Sequence, residues 1–170
     1  MTTNQSKLRS DRGAALVEMA LILPLFVLLV FGMMEAGWAF AQANDIRHGA
    51  REGARLAAVD HGDLTTIGRE VCDRMDITPA ANTTVTLTAV MAVDSNGDPI
   101  ALGSPGAEGA RNAQARIQVS TTSPGLTGVI SGFTNLSLNS DIDFRLEQPA
   151  TGDASWWAAA QGGGTHTCGT

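Results

Sequence analysis

The stretch Arg12-Gly13-Ala14-Ala15-Leu16-Val17-Glu18 places a carboxylate just inside a long apolar run. An ionised group inside a bilayer costs a few kcal/mol near its centre, and it tends to be paired and functional. Suppose the chain is cut after Gly13. Ala14 then carries a new α-amine, and Glu18 lies one helical turn below it, at i+4. The carboxylate can pair with that amine or with the amine of a neighbouring subunit. Glycine at the cut lets an extended backbone enter a peptidase without side-chain obstruction. The simpler alternative is that Glu18 only snorkels at the interface.

A second constellation follows at Arg47-His48-Gly49-Ala50-Arg51-Glu52-Gly53-Ala54-Arg55. Gly49, Gly53 and Ala57 are spaced four apart, as are Ala50, Ala54 and Ala58, so two adjacent rows make a smooth stripe on one helix face. Small residues at this spacing let another backbone approach closely. Glycine inside a helix costs up to about 1 kcal/mol relative to alanine, so two of them here imply a packing reason. Arg47, Arg51 and Arg55 repeat on a neighbouring face, with Glu52 in reach of Arg55 at i+3 and His48 at i−4. Three readings stay open. The stripe docks on the chain's own C-terminal domain, or it meets another subunit's helix, or the arginines touch anionic lipid.

The element that must carry both constellations is a long helix. Residues 19–34 read MALILPLFVLLVFGMM without a charge, and extending back to Ala14 adds only Glu18. Those 21 residues span about 31 Å at helical rise, close to the roughly 30 Å hydrocarbon thickness. Charge divides the chain near residue 60. Residues 1–59 carry six basic and five acidic side chains, whereas 60–170 carry five arginines against twelve acids. The overall charge of −6 argues against nucleic acid as a partner. Five Phe, three Trp and no Tyr exclude a large aromatic core.

Flanking charge does not orient the span, because Lys7, Arg9 and Arg12 on one side balance Arg47, Arg51 and Arg55 on the other. A basic leader before an apolar run matches an export signal, which puts the N-terminus in the cytoplasm and the acidic domain outside the cell membrane. Ala39-Phe40-Ala41 and Ala41-Gln42-Ala43 also fit a signal-peptidase pattern, which would release a secreted domain after Ala41 or Ala43. The apolar run is longer than the usual 7–15 residues of such signals, which favours a retained anchor.

Residues 13–25, GAALVEMALILPL, together with the Arg47–Arg55 block, resemble TadE-like proteins, the minor pseudopilins of tight-adherence (Tad/Flp) pilus systems. The resemblance implies cleavage after Gly13 by a prepilin peptidase, leaving Ala14 as the mature first residue. It further implies a role for Glu18 in assembly, partnership with other pilins or pseudopilins and with pilus-assembly membrane proteins, and a part in initiating or anchoring the pilus without catalysis.

Beyond residue 60 the sequence predicts a short helix over 63–75, with Asp63 or Thr65 as N-cap and Leu64, Ile67, Val71 and Met75 on one face. Residues 84–93 alternate in part, with Val85, Leu87, Ala89, Met91 and Val93 sharing a face. Asp94 to Asp98, centred on Asn96-Gly97, is a hairpin cue. A further strand carries Ala113, Ala115, Ile117 and Val119 inward, and residues 136–147 alternate most cleanly. The expected fold is α+β and pilin-like: a long N-terminal transmembrane helix continuing into a small antiparallel-sheet domain. Its divisions are a basic leader at 1–13, the transmembrane and extramembrane helix at 14–59, an extracytoplasmic α+β domain at 60–147, and a flexible tail at 148–170. Trp156 and Trp157 in that tail pack back on the domain, touch membrane or a partner, or have no role.

Cys72 and Cys168 are a candidate disulfide outside the cytoplasm. Asp94-x-Asn96-x-Asp98 begins like a calcium loop, but Gly stands at 97 and Pro105 at the twelfth position. His166-x-Cys168 with His48 and His61 lacks a zinc spacing. No phosphate loop, nucleophile elbow or paired-histidine zinc helix occurs. The reading is of a non-enzyme with no metal and no cofactor.

Overall fold

The computed structural model describes residues 4–59, 62–94, 96–102, 111–126, 135–149, 156–161 and 163–169, with residues 4–12 and 158 as backbone only. Helix α1 (Asn4–Ala58) runs 55 residues unbroken, about 82 Å at roughly 1.5 Å per residue. Pro24 sits inside it, as membrane helices tolerate. Its first half, through Met34, carries large apolar side chains exposed on every side, among them Leu16, Leu21, Phe26, Leu29 and Met33. Among the described residues this is the one helix long and apolar enough to cross a membrane. From Glu35 onward one face is covered, and Glu35, Gln42, Ile46, Ala50, Ala54 and Ala57 are buried.

Helix α2 (Leu64–Asp73) starts at Asp63, whose carboxylate accepts from the Thr66 N–H at 2.8 Å, so Asp63 is the cap and not Thr65. Ile67, Gly68 and Val71 form its buried face. Asp45 on α1 captures the chain leaving α2: its Oδ2 accepts from the Ile77 N–H, the Thr78 N–H and the Thr78 hydroxyl at 2.8–3.0 Å. A 3-10 turn, Ala80–Asn82, then leads into the sheet.

The sheet is antiparallel throughout. Strand β1 (Thr83–Val93) pairs on one side with β3 (Gln114–Ser123), which pairs with β4 (Leu136–Arg145). A two-residue β2 (Pro99–Ile100) pairs with the end of β1 through the 94–98 turn. Val85, Leu87, Ala115, Ile117 and Val119 are fully buried on the helix side, as period-2 alternation requires. Met91 departs from the alternation. The β1–β3 register shifts between Ala89 and Met91, and this bulge turns Ala92 and Val93 inward in its place.

The larger departure is at 148–170, read from sequence as a flexible tail. Trp156–Ala160 forms a short helix α3, and Gly164–Thr167 forms β5, which pairs antiparallel with β1. Burial drives this return. Trp156 and Trp157 are buried, the Trp156 indole N–H donates to the Ala57 carbonyl at 3.1 Å, and its ring lies tilted against that of Phe144. Cys168 is bonded to Cys72, and its N–H donates to the Thr83 carbonyl at 2.9 Å.

Candidate processing and assembly site

Gly13, Ala14 and Glu18 lie in consecutive turns of α1 and are exposed. Among the described residues nothing stands within 4 Å of where a Gly13 side chain would begin. The carboxylate of Glu18 therefore projects from a bare apolar cylinder. A single carboxylate in that setting can pair with a cation brought by another chain, or with the amine that a cut at Gly13 would create. The leader residues 4–12 continue the same helix. A peptidase acting here must unwind it locally, and glycine lowers the cost of doing so.

The second constellation lies 36 residues further along, about 54 Å from Gly13 on the helix axis. A side chain on Gly49 would meet Met75 and Val71 at 3.0–3.3 Å, and one on Gly53 would collide with Ile117 and Val71. Ala50 and Ala54 are buried beside them. The small residues thus bring α1 against α2 and β3 of its own chain. Gly68 plays the same part on α2, where a side chain would overlap the His166 ring of β5.

Arg47, Arg51 and Arg55 are exposed on the flank of this contact. Glu52 accepts two hydrogen bonds from Arg55, at 2.7 and 3.0 Å, and lies 3.8 Å from Arg74. The second partner of Glu52 is thus Arg74 on the α2 side and not His48. The Arg55 hydrogen bond holds the Glu52 carboxyl below its ordinary range, against an opposing desolvation effect. Arg47 and Arg51 make no ion pair among the described residues. His48, Arg51, Glu52, Arg55 and Arg74 together line a shallow cleft, a basic surface able to meet an anion.

Residues 13–55 match the family model of TadE-like proteins. The match covers 43 of the 170 residues, begins at Gly13, ends at Arg55, and lies wholly on α1. The likeness to TadE-like proteins is confined to this segment, which contains the helix long and apolar enough to cross a membrane. No curated protein and no solved structure matches the chain. The sheet domain therefore has its description from its own geometry alone.

Two polar anchors on α1 escape a reading of the sequence. Glu35 is buried, with its Oε1 accepting from the Leu126 N–H at 3.1 Å. Asp45 holds the 76–78 backbone. The available signal was the absence of a lysine or arginine three or four residues from either carboxylate, which leaves each to find donors elsewhere. Among the described residues no group of three metal-ligating side chains occurs.

Proposed function

We propose that this chain is a membrane-anchored minor pseudopilin that helps assemble or anchor a tight-adherence pilus, and that it works through packing and not catalysis. The observation that carries the reading is the coincidence at Gly13. The TadE-like match begins there, where the charged leader gives way to the apolar stretch of α1, with a carboxylate one turn below Ala14. A prepilin peptidase removes the leader after Gly13. Glu18 then guides entry into the fibre by pairing with the amine of Ala14 or of a neighbouring subunit.

The leader faces the cytoplasm and the sheet domain faces outward. The Cys72–Cys168 bond supports this, because disulfides persist in oxidising compartments. Release after Ala41 or Ala43 fits less well, since the cut would discard Glu35, which the domain covers and bonds.

The test is the mass of the mature chain. In a strain carrying the peptidase, the mature protein should begin at Ala14, and Gly13→Val should leave the leader attached. Glu18→Ala should mature normally yet fail to enter pili. An identical mass with and without the peptidase sinks the processing claim and leaves an unprocessed single-pass surface protein.

A further inference from the structure

Outside the span, six large apolar side chains are exposed among the described residues: Phe40, Ile77, Val90, Leu102, Leu126 and Leu136. Three of them gather at one end of the domain. Leu126 follows β3 and donates its N–H to Glu35, where α1 leaves the domain. Leu136 begins β4, opposite Ser123 at the end of β3. Phe40 lies on α1 five residues past Glu35. Their exposures are 65% for Phe40, 50% for Leu126 and 44% for Leu136.

Charge is sorted the same way. No Asp, Glu, Lys or Arg occurs from Ile117 to Ser140, or from Ala36 to Asn44, and all twelve acids of residues 60–170 fall outside these stretches. The opposite end of the domain holds Asp94 and Asp98 in the β1–β2 turn, and Glu147 beside Ala58. Among the described residues, an acidic domain that keeps charge away from the end around Leu126 and Leu136 is suited to contact with an apolar, anion-bearing surface, where carboxylates would be repelled.

We propose that this end of the domain rests in the bilayer interface, with Leu126, Leu136 and Phe40 inserted among lipid headgroups around the emerging helix. The occupant is the lipid surface because the patch is continuous with the bare helix. Phe40 is about 7.5 Å along the axis from Glu35, within the roughly 5–8 Å polar layer on each side of the hydrocarbon core. Trp38, half-buried on the same turn, is of the type enriched at that depth. Docking also accounts for Glu35. It is the only charged residue between Glu18 and Asp45, and the domain covers it and supplies it a backbone donor just where the lipid begins. The proposal rests on the membrane-span reading and adds to it a fixed height and orientation of the domain.

The test places a nitroxide at single cysteines in the full chain, reconstituted at one copy per vesicle in phosphatidylcholine–phosphatidylglycerol. The native cysteines stay bonded to each other and take no label. The sites are Phe40→Cys, Leu126→Cys and Leu136→Cys, with Leu25→Cys as the span marker and Asn96→Cys as the far-end marker. Labels at 40, 126 and 136 should show a several-fold higher ratio of oxygen to nickel-chelate accessibility than the label at 96. Position 40 lies on the helix itself and reads the surface even if a loop substitution disturbs the sheet. A lipid-exposed label at 25 with 40, 126 and 136 as open to the chelate as 96 overturns the docking and leaves the span intact. A chelate-exposed label at 25 overturns both. Shielding of 126 and 136 only after other pilus subunits are added overturns the lipid assignment in favour of a protein contact.

Discussion

The two halves of α1 obey opposite packing rules. Between Gly13 and Met34 the helix carries leucine, phenylalanine, valine and methionine, and all of these large side chains are exposed. Between Glu35 and Ala58 its buried face is mostly alanine and glycine, covered by α2, β3 and β4. Hydrophobicity therefore points the wrong way for locating the protein core along this helix. Side-chain size does better. A bilayer would supply apolar surroundings to any bulky side chain, and in one the first half would need no protein partner. The second half must bring a sheet close to a helix backbone, and only small residues allow that approach.

Several substitutions would break or sharpen this contrast. The largest effect is expected from Cys72→Ser with Cys168→Ser. The bond links positions 96 residues apart, and its loss should lower domain stability by about 2–5 kcal/mol in urea unfolding while leaving the apolar half of α1 helical. Next is Gly53→Leu, which drives a side chain into Ile117 and Val71 and should cost about 3 kcal/mol. Gly32→Leu, in open space, should leave the melting temperature of the domain unchanged. Equal effects of the two would erase the distinction between the halves.

A smaller effect of opposite sign is expected at Gln42. It is 1% exposed, and neither amide atom has a hydrogen-bond partner among the described residues. Gln42→Leu should therefore stabilise the docked half by about 1–2 kcal/mol in the same urea assay. The smallest effect is that of pH. Hydrogen bonds from Thr66, from the Asp98 N–H and from Arg116 hold Asp63, Asp94 and Asp143 below the ordinary carboxylate range. Groups depressed in the folded state stabilise it above their unfolded value, near 3.9 for Asp, and lose that contribution as pH falls through the folded one. Stability should be flat above about pH 5 on this account and decline gently below about 4. A decline that starts near neutrality would point to other groups.

Much of this architecture is legible in the residues. The apolar run, the glycine–alanine stripe, the Asp63 cap and the alternation of β4 all follow from local spacing. So does the match at Gly13 to Arg55, since both blocks sit on one continuous helix. What escapes is long-range. The β5 stretch Gly164–Thr167 is short, polar and set among glycines, and its partner β1 lies about 80 residues earlier. No local period can announce such a pairing. The bulge near Met91 is invisible for the same reason, because it belongs to the ladder and not to one strand. Trp156 and Trp157 were the hint that the end of the chain folds back, but two indoles name no destination.

The direction of β5 has a practical consequence. It runs antiparallel to β1 and brings Cys168 beside Thr83, at the end of the domain where the bare helix departs. A fluorescent protein or epitope fused after this strand would emerge on that crowded side. The Asn96–Gly97 turn lies at the opposite end of β1, so a short tag grafted there would be displayed clear of the helix. For labelling, that turn is a better attachment point than the end of β5.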